Sequence, residues 1–299
     1  MSIYLLSVLT NMTLISFLAL SAYLVLIVGQ VSFGQQAFFG IGAYSLAISN
    51  IIFGFGFLPC LLISMFIGGC SALFLALTTV RISGLYFSIS TLAFAELVRL
   101  SLLHFRFSRE IEGKFVGPDG PEGFRNIRWI FDNNLQVGDF LILTSSILLI
   151  LIIVLFLFEK TYFFKGARLI GKNRILGEAL GFRPNLYRIV FITLSGIVAS
   201  LGGALFALFN TYIEPAMFGL MLGVHGLAYS IIGGLGTPIG PLLGVIIDIG
   251  ILESIRFFSS YRMIIFGGLV ATILIVFPEG LISPNFLARI KSRRSKSNA

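Results

Sequence analysis

The residues able to do chemistry in this 299-residue chain are few and scattered. Gly166-Ala167-Arg168-Leu169-Ile170-Gly171-Lys172-Asn173 follows the phosphate-loop pattern G-x-x-x-x-G-K but ends in Asn, where Mg²⁺ needs a Ser or Thr hydroxyl. No buried strand precedes it, so it reads as a basic loop that does not bind ATP. Glu96 and Arg99 stand three apart, where helical side chains meet and opposite charges neutralise each other; Glu253 and Arg256 repeat that spacing. Asp248 has no base at i±3 or i±4. In an apolar segment it must face a protein interior and find a partner, or be protonated. Asp248 and Glu96 are therefore candidates for a pathway or proton-coupling role, with structural neutralisation as the alternative. His225 is suited to a helix–helix hydrogen bond. There is no G-x-S-x-G elbow and no H-E-x-x-H pair. Cys60 and Cys70 would lie about 15 Å apart along one helix, beyond disulfide reach. With only His104 and His225 as further soft ligands, neither a metal nor a cofactor is expected.

The remaining polar feature is a break. Gly29-Gln30-Val31-Ser32-Phe33-Gly34-Gln35-Gln36 carries no charge and separates two apolar runs. Backbone leaving a helix at membrane depth must be buried in protein or line a cavity. Gln30, Ser32, Gln35 and Gln36 are thus translocation-pathway candidates, with a short turn at the membrane surface as the alternative.

The elements that position these residues follow from composition. Hydrophobic residues make up 57% of the chain and charged ones 11%, and the mean hydropathy is +1.00. A soluble domain carries about 25% charge, so soluble enzymes, nucleic-acid-binding domains and disordered chains are excluded. The first charge is Arg81, and uninterrupted apolar runs of helical length replace the alternation of a barrel. The expected fold is all-α: a polytopic membrane helical bundle with eight to ten transmembrane segments, some broken or re-entrant. Nine apolar segments are read, at 4–28, 37–53, 57–80, 84–104, 139–158, 189–213, 218–236, 239–257 and 262–277. Two four-residue ladders of small residues (Ser195, Ala199, Gly203, Ala207; Gly236, Gly240, Gly244) predict close helix packing.

Charge sets the orientation. Of 21 basic residues, seven lie between Lys160 and Arg188 and five between Arg289 and Lys296. Flanking apolar spans, they report topology and anionic lipid contact, not nucleic acid. A transmembrane domain of residues 1–283 is therefore expected, with a cytoplasmic loop at 159–188, an external loop at 105–138 and a basic cytoplasmic tail at 284–299.

Five stretches then resemble one family in order. Gln30–Tyr44 is similar to the G-x-x-S-x-G-[HQ]-x-x-F-x-x-x-G-A-Y signature of permeases of branched-chain amino acid ABC importers, with Gln35 where many members have His. Ser90–Arg99 resembles that family's T-L-A-F-A-E-hydrophobic-x-R stretch, and Glu178-Ala179-Leu180-Gly181 its A-x-x-x-G coupling segment. Gly233–Pro241 and Phe277-Pro278-Glu279-Gly280-Leu281 resemble its two late motifs. The likeness is to the M-type (LivM-like) branch.

The resemblance implies a permease subunit without its own ATPase site. It would pair with a second homologous permease, two cytoplasmic ATP-binding subunits and an external substrate-binding protein, in the bacterial inner membrane. It implies transport of branched-chain amino acids or related small amino acids and amides, urea included. Segment 166–184 becomes the candidate ATPase-coupling element, with Arg174, Glu178, Ala179 and Gly181 as its residues; Gly181 and Pro184 should end its helix. The rival classes are an ion-coupled secondary transporter and a membrane scaffold. The topology has a direct check. Single cysteines replacing Asn173, Asn298 and Asn126, without Cys60 and Cys70, should react with an impermeant thiol reagent in intact cells only at position 126.

Overall fold

The computed structural model describes residues 3–107, 109–111, 114–252, 262–277 and 280–282. The Glu253/Arg256 pair, Pro278, Glu279 and the 284–299 tail lie outside the described residues. Five helices are long and apolar enough to cross a membrane: α1 (Ile3–Ile27), α3 (Phe57–Thr79), α4 (Leu85–His104), α6 (Val137–Glu159) and α9 (Pro184–Asn210). Shorter apolar elements accompany them: α2 (Gln35–Ala47), α10 (Leu220–Gly233), α11 (Gly240–Val245) and α12 (Arg262–Val276). Segments α2 and α11 run on as π-helical turns, Ile48–Ile52 and Ile246–Leu252. Among the described residues each apolar segment read from sequence overlaps one of these helices, five of them of membrane-spanning length; residues 253–257 of the eighth lie outside the described residues.

Three departures have local causes. α9 begins at Pro184, five residues before the apolar run, because Pro at the first helical position costs no hydrogen bond and presets φ. The 159–188 segment is not a loop. It holds α7 (Tyr162–Lys172), capped by the Thr161 hydroxyl, and α8 (Arg174–Ala179), capped by the Asn173 side chain. The all-α expectation also misses a small hairpin, β1 (Arg109–Ile111) against β2 (Lys114–Val116), in the 105–138 segment, which carries a short helix, α5 (Trp129–Asp132), as well.

The elements run between two ends. At one, the 105–136 segment folds over the helix termini. Phe124 and Ile213 exchange backbone hydrogen bonds, Trp129 stacks on Phe57 at 4.7 Å, and Arg109 donates to the Ile52 carbonyl. At the other, Tyr23 of α1 donates to Glu159 of α6, and Arg188 of α9 donates to the Ile82 carbonyl between α3 and α4. This second end carries the basic cluster.

α9 is the central post, and small residues let α2 and α3 reach its backbone. A Cβ at Gly42 would overlap the Ser200 backbone, one at Gly196 would overlap Ala72 Cβ, and one at Gly203 would overlap the Phe39 carbonyl. Ser200 Oγ donates to the Phe38 carbonyl at 3.0 Å. The 195–207 ladder thus seats α2. Gly203→Val should cost at least about 1–3 kcal/mol by overpacking, and Gly267→Val, where the added atom meets open space, should cost little. Thermal unfolding of both variants in detergent checks this; equal melting temperatures would contradict the packing.

Candidate functional site

α1 ends in a glycine stop. Gly29 has φ +70°, its N–H donates to Leu26 O, and the Gln30 N–H donates to Val25 O. Glycine is required twice over, because a Cβ there would also lie 2.7 Å from Gly171 O of α7. The chain then runs non-helical to Gly34 before α2 begins. Side chains of α4 hold this stretch: Ser88 Oγ donates to Val31 O at 2.7 Å, and the Phe33 N–H donates to Thr91 Oγ1 at 3.0 Å. Ser32 Oγ accepts from the Gly34 N–H. The break is therefore backbone held in place by side chains of α4, with Gly29 and Val31 at its surface.

The structure brings Gln30, Ser32, Gln35 and Gln36 into this break, each 5% exposed or less. Gln35 Nε2 donates to Ser195 Oγ on α9. Gln36 lies over Gly223 of α10, where a Cβ would overlap its Oε1. The Oε1 atoms of Gln30, Gln35 and Gln36 meet no donor among the described residues. An unmet buried acceptor costs about 1–3 kcal/mol. Gln35 faces α9 and Gln36 faces α10, so these are separate uncharged acceptors, each able to take an N–H donor. Tyr44, two turns along α2 on the Gln36 side, adds a buried hydroxyl that likewise meets no partner. Sequence reading passed over it, although the 36, 40, 44 spacing is the signal: Gly40 and Tyr44 both meet Phe218.

Asp248 and Glu96 are not brought to this cluster. Asp248 is 1% exposed and accepts from Tyr229 Oη at 2.5 Å, so it found the interior partner that its burial requires. It lies with Ile249 and Val245 in a separate apolar cluster against α1, α10 and α12. His225 stacks with Tyr229 and Phe266 there. Glu96 is gripped by Arg99 through both carboxylate oxygens, further along α4 than Ser88 and Thr91. Its side chain is 47% exposed.

α8 stands at the basic end. Phe182 N–H donates to Gly177 O and Gly181 N–H to Glu178 O, the double closure of a helix ended by a left-handed residue; Gly181 has φ +85°. Arg174 pairs with Glu178 at 2.9 Å. Ile175 is 79% exposed and Leu180 60%, a small apolar patch among charges. The G-x-x-x-x-G-K match lies inside α7, so its amides close a helix and form no phosphate cradle. Its glycines serve packing: Gly166 against Phe182 and Tyr187, Gly171 against Ile27 and Gly29.

Arg168 was read from sequence only as a topological charge. Its Nη2 reaches Tyr23 Oη at 3.1 Å, Leu235 O at 3.1 Å, Gly236 O at 2.7 Å and the Glu159 carboxylate. The 233–236 turn is in turn bonded to the end of the chain's last described segment: Leu281 N–H donates to Ile232 O, Ile282 N–H to Gly233 O, and Gly236 N–H to Ile282 O. The two late sequence motifs are thus one structural unit.

Comparison with known proteins follows this geometry. The family described as "Branched-chain amino acid transport system / permease component" matches residues 4–277. The chain is 27% identical over 277 residues to the "High-affinity branched-chain amino acid transport system permease protein LivM" of Escherichia coli (strain K12), and equally to that of Salmonella typhimurium (strain LT2). Each alignment covers 85% of this chain, which spans 64% of the length of these curated relatives. No solved structure matches. Because α7 leaves no phosphate cradle, the purified chain should show no photo-labelling by an ATP analogue. Labelling that excess ATP blocks and Lys172→Ala abolishes would contradict this.

Proposed function

The chain belongs to the branched-chain amino acid transport permease family, and from that premise we propose that it is the membrane-spanning permease subunit of an ATP-driven importer. Its nine apolar elements would cross a bacterial cytoplasmic membrane alternately, with the 159–188 segment and the 284–299 tail inside and 105–138 outside. The cargo is branched-chain amino acids or related small amino acids and amides, handed over by an external binding protein. Two cytoplasmic ATP-binding subunits supply energy, and a second homologous permease completes the conduit.

The observation that carries this reading is the coexistence, in one chain, of two features. One is a helix break carrying buried, unmet amide oxygens. The other is a short, exposed, glycine-ended helix on the basic side. The first suits passage of a small solute bearing N–H groups. The second suits seating in a cleft of a soluble partner, α8 offering Ile175 and Leu180 to it. The exposed Glu96–Arg99 pair supports the second permease, because an ion pair far along a membrane helix is costly against lipid. A secondary transporter driven by ions is the rival, with Asp248 as its coupling group; the Tyr229 hydrogen bond accounts for that carboxylate without it.

Reconstitution separates the two. Copurification with an ATPase, and leucine uptake that requires ATP and the binding protein, is the expected result; uptake by this chain alone under a proton gradient would overturn it. Coupling has its own test. Gly181 holds φ +85° with open space around it, so a side chain there costs about 1–2 kcal/mol of backbone strain and no clash. Gly181→Val should reach the membrane at normal levels, yet lose uptake and the ATPase stimulation caused by the loaded binding protein; Gly181→Ala should be milder. Full uptake with Gly181→Val would remove α8 from the coupling path.

A further inference from the structure

We propose that Arg168 is the positioning residue that carries movement of the α7–α8 unit into the membrane helices, acting on the α10–α11 turn. This rests on the importer reading but names a link that reading leaves open: what, besides chain connectivity, joins the coupling unit to the bundle.

The geometry singles out one side chain. Arg168 sits mid-way along α7, with its guanidinium over the Phe164 ring at 5.4 Å. From there it reaches three other parts of the fold: Tyr23 near the end of α1, Glu159 at the end of α6, and the carbonyls of Leu235 and Gly236 between α10 and α11. Glu159 is 14% exposed and takes a second hydrogen bond from Tyr23, so the acid that holds the guanidinium is itself fixed. The carbonyls belong to a turn with little freedom of its own. Gly234 has φ +90°, a Cβ at Gly280 would overlap Gly234 Cα, and three backbone hydrogen bonds tie the turn to 281–282. Displacing α7 therefore pulls on a turn already rigid, and the turn leads into α10. That helix carries Gly223, against which Gln36 of the break rests.

All four contacts come from one terminal nitrogen, Nη2, while Nε meets no partner among the described residues; a Lys ammonium ends one atom short of that position, on a flexible stem. A charge placed only for topology would be served equally by either. Arg168→Lys is thus the discriminating substitution. Arg168→Met combined with Glu159→Gln is its companion, since it removes the linkage without leaving a lone buried carboxylate.

Two readouts test the proposal. In the reconstituted transporter, both variants should assemble with the ATPase, while substrate moved per ATP falls about tenfold, within the usual range of coupling energies. In the chain alone, in lipid nanodiscs and lacking Cys60 and Cys70, spin labels at Lys165→Cys and Thr237→Cys should give one narrow distance. That distance should broaden in both variants. Wild-type stoichiometry in Arg168→Lys, or an unbroadened distance in the double variant, would overturn the proposal. If the wild-type complex shows no ATP-driven uptake, the importer reading fails, and the label distance still decides whether Arg168 ties α7 to the turn.

Discussion

Backbone that leaves a helix must have its amides and carbonyls met by water or by protein, and the 28–34 break between α1 and α2, beside α7 at the basic end, is where side chains of α4 meet that demand. Each unmet group in hydrocarbon costs several kcal/mol. Ser88 and Thr91 meet two of them from α4, so α4 must present that face inward. Glu96, half exposed, lies to one side of that face and pairs with Arg99. α2, starting inside the bundle, must lie against α9 and α10, and this requires Gly42, Gly203 and Gly223 at the crossings.

The same constraint explains the chemistry of the break. A charge there would need a fixed counter-charge, and the chain places its buried carboxylate elsewhere, against Tyr229. What remains beside the break is amide and hydroxyl. Such groups can exchange hydrogen bonds with a passing polar solute without holding it as strongly as a charge would. Movement must then come from outside the bundle, and the α7–α8 unit is the part of the basic end with exposed apolar side chains on a short capped helix.

Much of this was legible in the residues. Apolar runs placed the five helices of membrane-spanning length, the isolated polar run Gly29–Gln36 marked the break, and Gly181 marked the end of α8, whereas Pro184, read as a stop, begins α9. Local chemistry determines each of these. The features that escaped depend on partners distant in sequence. Arg168 pairs with Tyr23 and Gly236, 145 and 68 residues away, and as one of the seven basic residues between Lys160 and Arg188 it has nothing local to distinguish it. The Glu96–Arg99 pair, by contrast, is local, and its spacing of three was readable in the sequence. The hairpin at 109–116 is too short for a periodicity to register.

The central claim is that the break between α1 and α2 is a moving part of the conduit, sealed in the state seen here. Reaction of Gln36→Cys with a small membrane-permeant thiol reagent, in the reconstituted complex lacking Cys60 and Cys70, tests it directly. The account predicts slow labelling at rest, since the residue is 1% exposed, and faster labelling during ATP turnover with loaded binding protein. Labelling equally slow in every nucleotide state would contradict it, and the break would then be a static feature of packing.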